Sequence, residues 1–232
     1  MKILMPVNRF CPKSRELGRY TFEKRLFHKK TKYQTIDVFQ HKKYGVMMFI
    51  DDDAQISSSD SYFYDKALVD PLFKSGPVKN ILIMGGGDCG VLRELLTHKE
   101  VKKAVMVDID KDFVEASKKF IPDVVGNSLK NKRSKVIIGN AFEFIKNKSK
   151  FDAIIYDLTM DPVGAPKDFF DPIAKSLSNG GKLAMQVSCI HDTSMKKKVE
   201  KELSKHFKRI KFYEIMIPSY EEKWVFVYAE KK

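Results

Sequence analysis

Hydrophobic and polar residues follow two patterns along the chain, and the change falls near residue 58. Before it, short runs rich in β-branched and aromatic residues alternate with turn residues, as at 33–39 and 46–50, which flank a turn at 43–45. Such runs predict a small antiparallel β-meander between residues 19 and 55.

From residue 78 onward, the pattern becomes an alternation of strands and helices. Near-continuous apolar runs predict parallel strands at 80–84, 104–108, 135–138, 153–157 and 182–187. Helical periodicity predicts helices at 62–73 (after candidate capping residues at 57–60), 90–96, 111–120, 141–147, 167–177 and 194–207. This alternation is typical of an α/β fold whose parallel sheet is covered by helices on both faces. Two last strands, 211–217 and 224–229, predict an antiparallel edge pair, because no long helix separates them.

The charge of the chain raises the question of a nucleic-acid partner. The 232 residues include 43 Lys and Arg against 30 Asp and Glu, a net charge of +13, and such an excess allows binding to polyanions. The lysines stand in short scattered groups, at 102–103, 118–119 and 196–198. We therefore interpret the charge as a solvated surface and do not expect nucleic acid as a partner, with RNA or DNA contact as the alternative.

Composition also bears on the compartment. The apolar share of 43% excludes a disordered or collagen-like chain. No run approaches the roughly 20 apolar residues of a membrane helix, and the first residues do not resemble a secretory signal, so no membrane partner is expected. Cys11, Cys89 and Cys189 lack CxxC or Cys/His spacing, which argues against a disulfide framework and a zinc site. The expected compartment is the reducing cytoplasm.

The candidate chemistry begins at a glycine-rich loop. Residues 81–90 are ILIMGGGDCG, so Gly85, Gly87 and Gly90 fit G-x-G-x-x-G directly after a buried strand. Glycines at these positions let the backbone turn tightly and approach a bound nucleoside. Asp108 ends the next strand, where its carboxylate can accept hydrogen bonds from both ribose hydroxyls. Enzymes that bind NAD, FAD or S-adenosylmethionine share this fingerprint.

Acidic residues distinguish this loop from a dinucleotide site. A pyrophosphate prefers helix N-terminal amides without a neighbouring anion, whereas Asp88 lies inside the loop itself. Asp157 ends the fourth strand, and the carboxyl ends of parallel strands meet at one edge of a sheet. We therefore expect Asp88, Asp108 and Asp157 to face one crevice and to bind a positively charged substrate. The alternative for Asp157 is a helix cap.

Several motifs resemble those of one known family. The sequence GGGDCGVLRE at 85–94 resembles the GGGDGG-x-LRE signature of the polyamine aminopropyltransferases, the spermidine and spermine synthases. VDID at 107–110, DLT at 157–159 and IPSYEEKWVF at 217–226 resemble further motifs of this family, in the same order. The last is closest to spermine synthases. The resemblance runs from residue 33 to the C-terminus.

This resemblance implies a fold and a domain organisation. The sheet would be Rossmann-like and of the methyltransferase type, parallel with antiparallel C-terminal edge strands, and preceded by the small meander. We expect an N-terminal meander region over residues 1–57 and a catalytic domain over residues 58–232. Members of the family commonly form dimers, so a homodimer is expected.

The resemblance also implies an activity. It is the transfer of the aminopropyl group of decarboxylated S-adenosylmethionine to a polyamine, with release of 5′-methylthioadenosine. The donor is a co-substrate, and neither a cofactor nor a metal is implied. Glu222 favours spermidine as the acceptor, as in spermine synthases. Putrescine is the alternative, since a DPVG element typical of spermidine synthases stands at 161–164, displaced by one residue.

Roles follow from the resemblance residue by residue. Catalytic roles are implied for Asp157, beside the attacking amine, and for Asp88 and Tyr64. The donor would be bound by Gln34, Gln55, Gly85, Gly87, Asp88, Asp108, Asn140 and Ala141. The acceptor would be bound by Tyr64, Asp157, Tyr220 and Glu222. The segment 159–169 would form a loop over the crevice.

The chain departs from the family pattern at three places. Cys89 replaces a glycine, so we expect a negative φ there and a buried, structural thiol. Asn140 replaces an Asp and would still accept a bond from the adenine amino group through its carbonyl. Asp65 and Lys66 replace the usual His-Glu or Gln-Glu, which argues against an ordinary putrescine site.

Three other classes of protein compete with this interpretation. An S-adenosylmethionine-dependent RNA methyltransferase would have the same fold and would suit the basic surface, but an acidic crevice repels phosphates. A non-catalytic binder of polyamines or nucleosides would suit the changes at Cys89 and Asn140. An NAD-dependent dehydrogenase is least favoured, because no second domain supplies a catalytic His or Lys.

Overall fold

The computed structural model describes residues 3–6, 19–147, 149–158 and 168–232, which form two β-sheets and seven α-helices. The first sheet is antiparallel. Its strands are β1 (Ile3–Pro6), β2 (Arg19–Lys30), β3 (Thr35–His41), β4 (Gly45–Ile50) and β5 (Asp53–Ser57), in chain order. The predicted meander is therefore confirmed, with β1 as an additional strand.

The second sheet has seven strands. They are β6 (Asn80–Gly85), β7 (Lys103–Asp108), β8 (Ser134–Ile138), β9 (Phe151–Asp157), β10 (Leu177–Cys189), β11 (Phe207–Ile217) and β12 (Glu222–Lys231). Their spatial order is β11-β12-β10-β9-β6-β7-β8. Strands β6 to β10 pair in parallel, whereas β12 runs antiparallel to β10 and β11. The predicted α/β class with an antiparallel C-terminal edge is confirmed.

Six of the seven helices stand close to their predicted positions, and the short helix α4 was not predicted. The helices are α1 (Ser61–Phe73), α2 (Gly90–Thr97), α3 (Lys111–Phe120), α4 (Pro122–Val125), α5 (Ala141–Ile145), α6 (Phe170–Ser176) and α7 (Thr193–His206). Strand β10 begins at Leu177, five residues earlier than predicted, directly at the end of α6. Its register against β9 shifts between Leu177 and Lys182, and Gly180 has a φ of +69° there. The glycine permits this irregular strand, which the apolar pattern did not indicate.

The hydrophobic core lies on both faces of the second sheet. Along β6, Ile81 and Ile83 pack with α1 and α2, while Leu82 and Met84 pack with residues of α5 and α6 on the other face. The N-terminal sheet packs Ile36 against α3. This contact places its β-turns beside the carboxyl ends of the parallel strands, where ligands of such sheets bind.

Two observations concern the compartment. Cys189 takes part in a disulfide bond, whereas Cys89 is a free buried thiol. The expectation that the chain has no disulfide framework therefore does not extend to Cys189, and the cysteines no longer argue for a reducing compartment. Within the described ranges, no helix is long and apolar enough to cross a membrane.

Candidate active site

A cavity of about 220 Å³ lies at the carboxyl ends of the parallel strands, beside the point where strand order reverses between β6 and β9. The structure brings ten of the twelve predicted site residues to its wall: Gln34, Gln55, Tyr64, Gly87, Asp88, Asp108, Asn140, Ala141, Asp157 and Tyr220. Open α/β sheets bind their ligands at such a reversal. The cavity is therefore the candidate active site.

The glycine loop brings two strands and a carboxylate together. A Cβ on Gly85, where φ is +86°, would lie 2.1 Å from the carbonyl oxygen of Asp157. A Cβ on Gly87 would lie 2.8 Å from a carboxylate oxygen of Asp108. A side chain at Gly85 would force the two strands apart, and one at Gly87 would displace the Asp108 carboxylate and the Phe113 ring. Gly85 does not line the cavity, so its place in the structure is the junction of β6 and β9 rather than donor contact.

Cys89 differs from its expected conformation. Its φ is +67°, in the left-handed region, so the expectation of a negative φ is wrong. The residue directly precedes α2, and its side chain is fully buried in the core shared with that helix. Burial raises the pKa of the thiol, so the group stays protonated. Cys89 is therefore a buried, structural thiol, which is the role expected from the sequence.

We expect Cys89→Val to destabilise the protein by at least about 2 kcal/mol more than Cys89→Ala. The left-handed backbone conformation costs most free energy for a β-branched residue, and valine also adds volume to a packed core. Alanine has about the same conformational cost as cysteine at this φ. Cys89→Ala therefore loses only the packing of the thiol, which contributes about 1 kcal/mol. Urea unfolding of both variants measures the difference. Equal unfolding midpoints would show that a β-branched side chain carries no extra cost at this positive φ.

Tyr64 and Asp157 form the central hydrogen bond of the cavity. The Tyr64 hydroxyl, on α1, donates to Asp157 Oδ1 at 2.6 Å, and the Tyr64 ring packs edge-on against Phe226 at 5.3 Å. Burial, and then the charge of Asp88, raises the pKa of Asp157 to about 7, although the Tyr64 bond opposes the shift. Burial also raises the pKa of Tyr64. Near neutral pH, Tyr64 therefore keeps its proton and donates the hydrogen bond, while Asp157 can both lose and take up a proton.

Asp88 and Asp108 complete the acidic wall. Asp88 Oδ1 accepts from Gly90 N at 2.7 Å, and burial raises the pKa of Asp88 against the opposing effects of that bond and of Arg93. Asp108 Oδ1 accepts from Asp110 N at 2.9 Å, and burial raises its pKa to about 6. Buried carboxylates with raised pKa values are stabilised by a cationic ligand.

Asn140 is already engaged. Its Oδ1 accepts from Phe142 N at 2.8 Å and from Glu143 N at 3.3 Å, so that the side chain caps α5. A carbonyl oxygen has two lone pairs, and both bonds go to the helix. The expectation that this oxygen also accepts from adenine therefore finds no support in the geometry, and the amide NH₂ is left as a donor.

The N-terminal sheet contributes Gln34 and Gln55. Gln55 lies on β5, and its Nε2 donates to Asp53 O at 3.3 Å. Gln34 follows Thr31 in the turn after β2, and the Thr31 hydroxyl donates to Asp110 Oδ2 at 2.8 Å. This bond ties the turn to the N-terminus of α3, beside Asp108. The first sheet thus forms one side of the cavity.

The two predicted C-terminal residues separate in the structure. Tyr220 lines the cavity, and its hydroxyl donates to the carbonyl of Gln55. Glu222 does not line it, and its carboxylate pairs with His191 Nε2 at 3.3 Å. Glu222 is therefore not placed for contact with a ligand in this cavity.

Two polar residues to which the sequence motifs assigned no role lie at or beside the cavity: Gln186 lines it, and Asp65 lies against Gly90 of the glycine loop without lining it. Asp65 is buried, pairs with Arg93 Nη2 at 3.1 Å, and lies so close to Gly90 that a Cβ there would be 2.6 Å from its oxygens. Gln186 lines the cavity, and its buried Oε1 finds no donor among the described groups. Gln186 is a polar residue within the apolar run 183–187, and this interruption was the signal that could have indicated a place in the site. Trp224 both packs in the core and lines the cavity.

Some predictions fall on residues outside the described ranges. The predicted loop at 159–169 and the DPVG element at 161–164 are among them, apart from residues 168 and 169. The geometry does not favour the alternative that Asp157 only caps a helix, because its carboxylate lies at the cavity and accepts a hydrogen bond from Tyr64.

The fold and the site together define a Rossmann-like α/β protein with an acidic cavity at the carboxyl ends of its parallel strands. Two family models match the chain, the spermine/spermidine synthase domain over residues 61–232 and the spermidine synthase tetramerisation domain over residues 12–57. The chain therefore belongs to the spermine/spermidine synthase family, which is a family of enzymes.

Individual relatives agree with this assignment. The chain is 36% identical over 221 residues to a polyamine aminopropyltransferase of Buchnera aphidicola subsp. Schizaphis graminum, covering 89% of this chain and 75% of the relative. It is 38% identical over 213 residues to one of Hydrogenobaculum sp., covering 88% and 75%. The crystal structure of spermidine synthase from Thermotoga maritima superposes with a TM-score of 0.86 at 26% identity, covering 94% and 76%. A spermidine synthase in complex with the transition-state analogue AdoDATO gives 0.85 at 25%, with the same coverage.

Proposed function

We propose that this protein transfers the aminopropyl group of decarboxylated S-adenosylmethionine to a polyamine and releases 5′-methylthioadenosine. The observation that carries the proposal is the group of Asp88, Asp157 and Tyr64 around one cavity, with the Tyr64 hydroxyl 2.6 Å from Asp157 Oδ1. Its relatives named polyamine aminopropyltransferase support it.

The chemistry explains why carboxylates are needed. The amine nitrogen forms a bond to the carbon beside the sulfonium, the C–S bond breaks, and the leaving thioether is neutral. Because the donor is already activated, the proposed reaction requires neither a cofactor nor a metal. The amine enters as an ammonium whose pKa is near 10, about 3 units above neutral pH, so a base must take its proton. Asp157 binds this ammonium and accepts that proton, directly or through water.

The other residues hold the two substrates in line. Asp108 accepts from the ribose hydroxyls, and Asp88 attracts the aminopropyl ammonium of the donor. Gln34 and Gln55 line the sugar side, Asn140 and Ala141 lie at the adenine end, and Tyr220 lies at the acceptor side. Alignment of amine, carbon and sulfur supplies much of the rate of such displacements.

The acceptor is the open part of this proposal. The sequence favoured spermidine because of Glu222, but in the structure Glu222 pairs with His191 and does not line the cavity. Putrescine therefore stands beside spermidine as a candidate, and the names of the similar solved structures favour it.

Mass spectrometry of the products tests both the aminopropyl transfer and the identity of the acceptor amine. The protein is incubated with the donor and with putrescine, spermidine or norspermidine separately, and each product is expected to gain one aminopropyl group. Product from spermidine supports a spermine synthase, and product from putrescine alone refutes it. Binding of 5′-methylthioadenosine without turnover would indicate the non-catalytic binder, and methyl transfer to RNA the methyltransferase.

We expect Asn140→Asp to lower the KM for the donor by about 3- to 10-fold, because a second carboxylate oxygen could accept from the adenine amino group while the first caps α5. Steady-state kinetics measure the change. Asn147→Asp is the matched control, since it adds the same charge at an exposed position just beyond α5. An equal effect of both variants would indicate a general charge effect instead.

An oligomer is also proposed. The match of residues 12–57 to a domain described as a tetramerisation domain supports assembly of the chain, and the predicted homodimer stays a prediction. Light scattering after gel filtration distinguishes a dimer from a tetramer or a monomer. A location in the cytoplasm stays a prediction as well.

A further inference from the structure

A short turn carries Tyr220 to the cavity. Strands β11 and β12 are joined by a single 3₁₀ turn, Pro218–Tyr220, which is followed by Glu221 with a φ of +55°. The turn closes on itself with a bond from Glu221 N to Pro218 O at 3.1 Å. A turn this short has few internal bonds, so contacts from elsewhere in the chain must set the position of the Tyr220 ring.

Asp60 makes two of these contacts. It directly precedes α1 and was expected to cap that helix, but its side chain makes no capping bond. Instead, Asp60 Oδ2 accepts from Ser219 N at 2.6 Å, and Asp60 Oδ1 accepts from Ser219 Oγ at 2.9 Å. Asp60 is 5% exposed and Ser219 is fully buried. A carboxylate loses its hydration when it is buried, and these two bonds replace it.

Tyr20 holds the same residue from the other side. Its hydroxyl donates to the carbonyl of Ser219. The Tyr20 ring belongs to the aromatic cluster of the N-terminal sheet, with the rings of Phe22 and Phe49 at 5.9 and 6.1 Å. The backbone N–H, the hydroxyl and the carbonyl of Ser219 are thus all bonded to residues that precede α1.

We propose that Asp60 and Tyr20 are positioning residues, which act through Ser219 to hold Tyr220 against the amine side of the cavity. The N-terminal sheet and the segment that joins it to α1 then have a part in substrate binding through residues that do not themselves touch the substrate. The expected kinetic effect rests on the proposed function, because it assumes that Tyr220 contacts the acceptor amine.

Kinetics of single variants test the proposal. Tyr20→Phe and Ser219→Ala each remove one hydrogen bond, and we expect each to raise the KM for the amine by about 5- to 10-fold. The KM for the donor and kcat should change by less than about twofold. Asp60→Ala should have a larger effect than Asp60→Asn, because the amide oxygen can still accept from one of the two donors.

Tyr228→Phe is the matched control. The Tyr228 hydroxyl bonds to Ser75 Oγ and to Glu230 Oε1, both at 2.9 Å, near the end of β12 that lies away from the cavity. Its loss should lower stability to a similar extent without a selective change in the KM for the amine. If Tyr20→Phe and Ser219→Ala leave that KM unchanged, or raise both KM values equally, the proposal is overturned.

Hydrogen exchange gives a readout that does not depend on activity. In the unliganded protein, Asp60→Ala should accelerate exchange at the amides of 219–221, whereas Tyr228→Phe should not. Unchanged exchange in Asp60→Ala would overturn the proposal even in an active enzyme. If the wild-type protein transfers no aminopropyl group to any amine, the proposed function fails, and hydrogen exchange still decides whether the turn is held as described.

Discussion

Replacing Asp157 by asparagine is expected to lower kcat for aminopropyl transfer by about 10²- to 10⁴-fold and to leave the KM for the donor nearly unchanged. Asparagine keeps the size of the side chain and can still accept a bond from Tyr64. It cannot take the proton of the attacking ammonium, and it carries no charge to attract that cation. The loss should therefore appear in the chemical step and in acceptor binding.

Two variants control this result. Tyr64→Phe removes the 2.6 Å bond to Asp157 and retains the ring that packs against Phe226, so a loss of only about tenfold is expected. Asp152→Asn changes a carboxylate at the start of β9, at the other end of the sheet, which accepts from the backbone N–H groups of Lys79 and Asn80. It should retain the wild-type kcat. A kcat of Asp157→Asn within a factor of about three of wild type would remove Asp157 from the mechanism.

The central part of the fold was predictable because its signals are local. Residues 81–84 are fully buried, and each side chain of this parallel strand meets one of two apolar faces. Such a strand needs no alternation of polar residues, which is the pattern the sequence has. Asp88, Asp108 and Asp157 could be expected together because the carboxyl ends of parallel strands share one edge.

The remaining features depend on contacts between residues far apart in the chain. Asp60 has the residue type of a helix cap, yet its carboxylate bonds to Ser219, which lies 159 residues later. Glu222 stands in a motif of the right kind, but its carboxylate pairs with His191 in the loop after β10. Local propensity cannot predict such partners, because competing hydrogen bonds of similar strength are decided by the tertiary structure.

Backbone conformation was the other feature that the sequence alone did not predict correctly. Cysteine rarely has a positive φ, and the sequence alone therefore predicted a negative value at Cys89. The tight passage from β6 to α2 has positive φ values at Gly85, Gly86 and Cys89, so the conformation of Cys89 is part of this turn. The family motif, with glycine in place of Cys89, was the better guide to this angle.

Activity is expected to fall by about 10³-fold between pH 8 and pH 5, measured as kcat/KM, because carboxylates that must be ionised take up protons. In the free enzyme the pKa of Asp157 is about 7 and that of Asp108 about 6. Below about pH 7, kcat/KM should fall about tenfold per pH unit, and below about pH 6 about a hundredfold. Asp157 and Asp108 interact with each other and with Asp88 and Tyr64. The inflections of the pH profile therefore belong to this cluster of groups and not to single residues.

Stability of the unliganded protein should change in the opposite direction. An unfolded aspartate ionises near pH 3.9, whereas Asp157 in the folded protein ionises near pH 7. The folded state therefore binds more protons between these values, and its stability falls as the pH rises from about 4 to about 7. Thermal unfolding at pH 5 and pH 8 measures this fall, which should be smaller in Asp157→Asn.

Cationic ligands should reverse this trend, which links the pH dependence to the proposed substrates. A bound ammonium favours the ionised carboxylates, so a polyamine together with 5′-methylthioadenosine should raise the Tm more at pH 8 than at pH 5. The nucleoside alone, which is neutral, should give a shift that depends little on pH. An equal shift at both pH values with the polyamine present would mean that the buried carboxylates do not bind the amine.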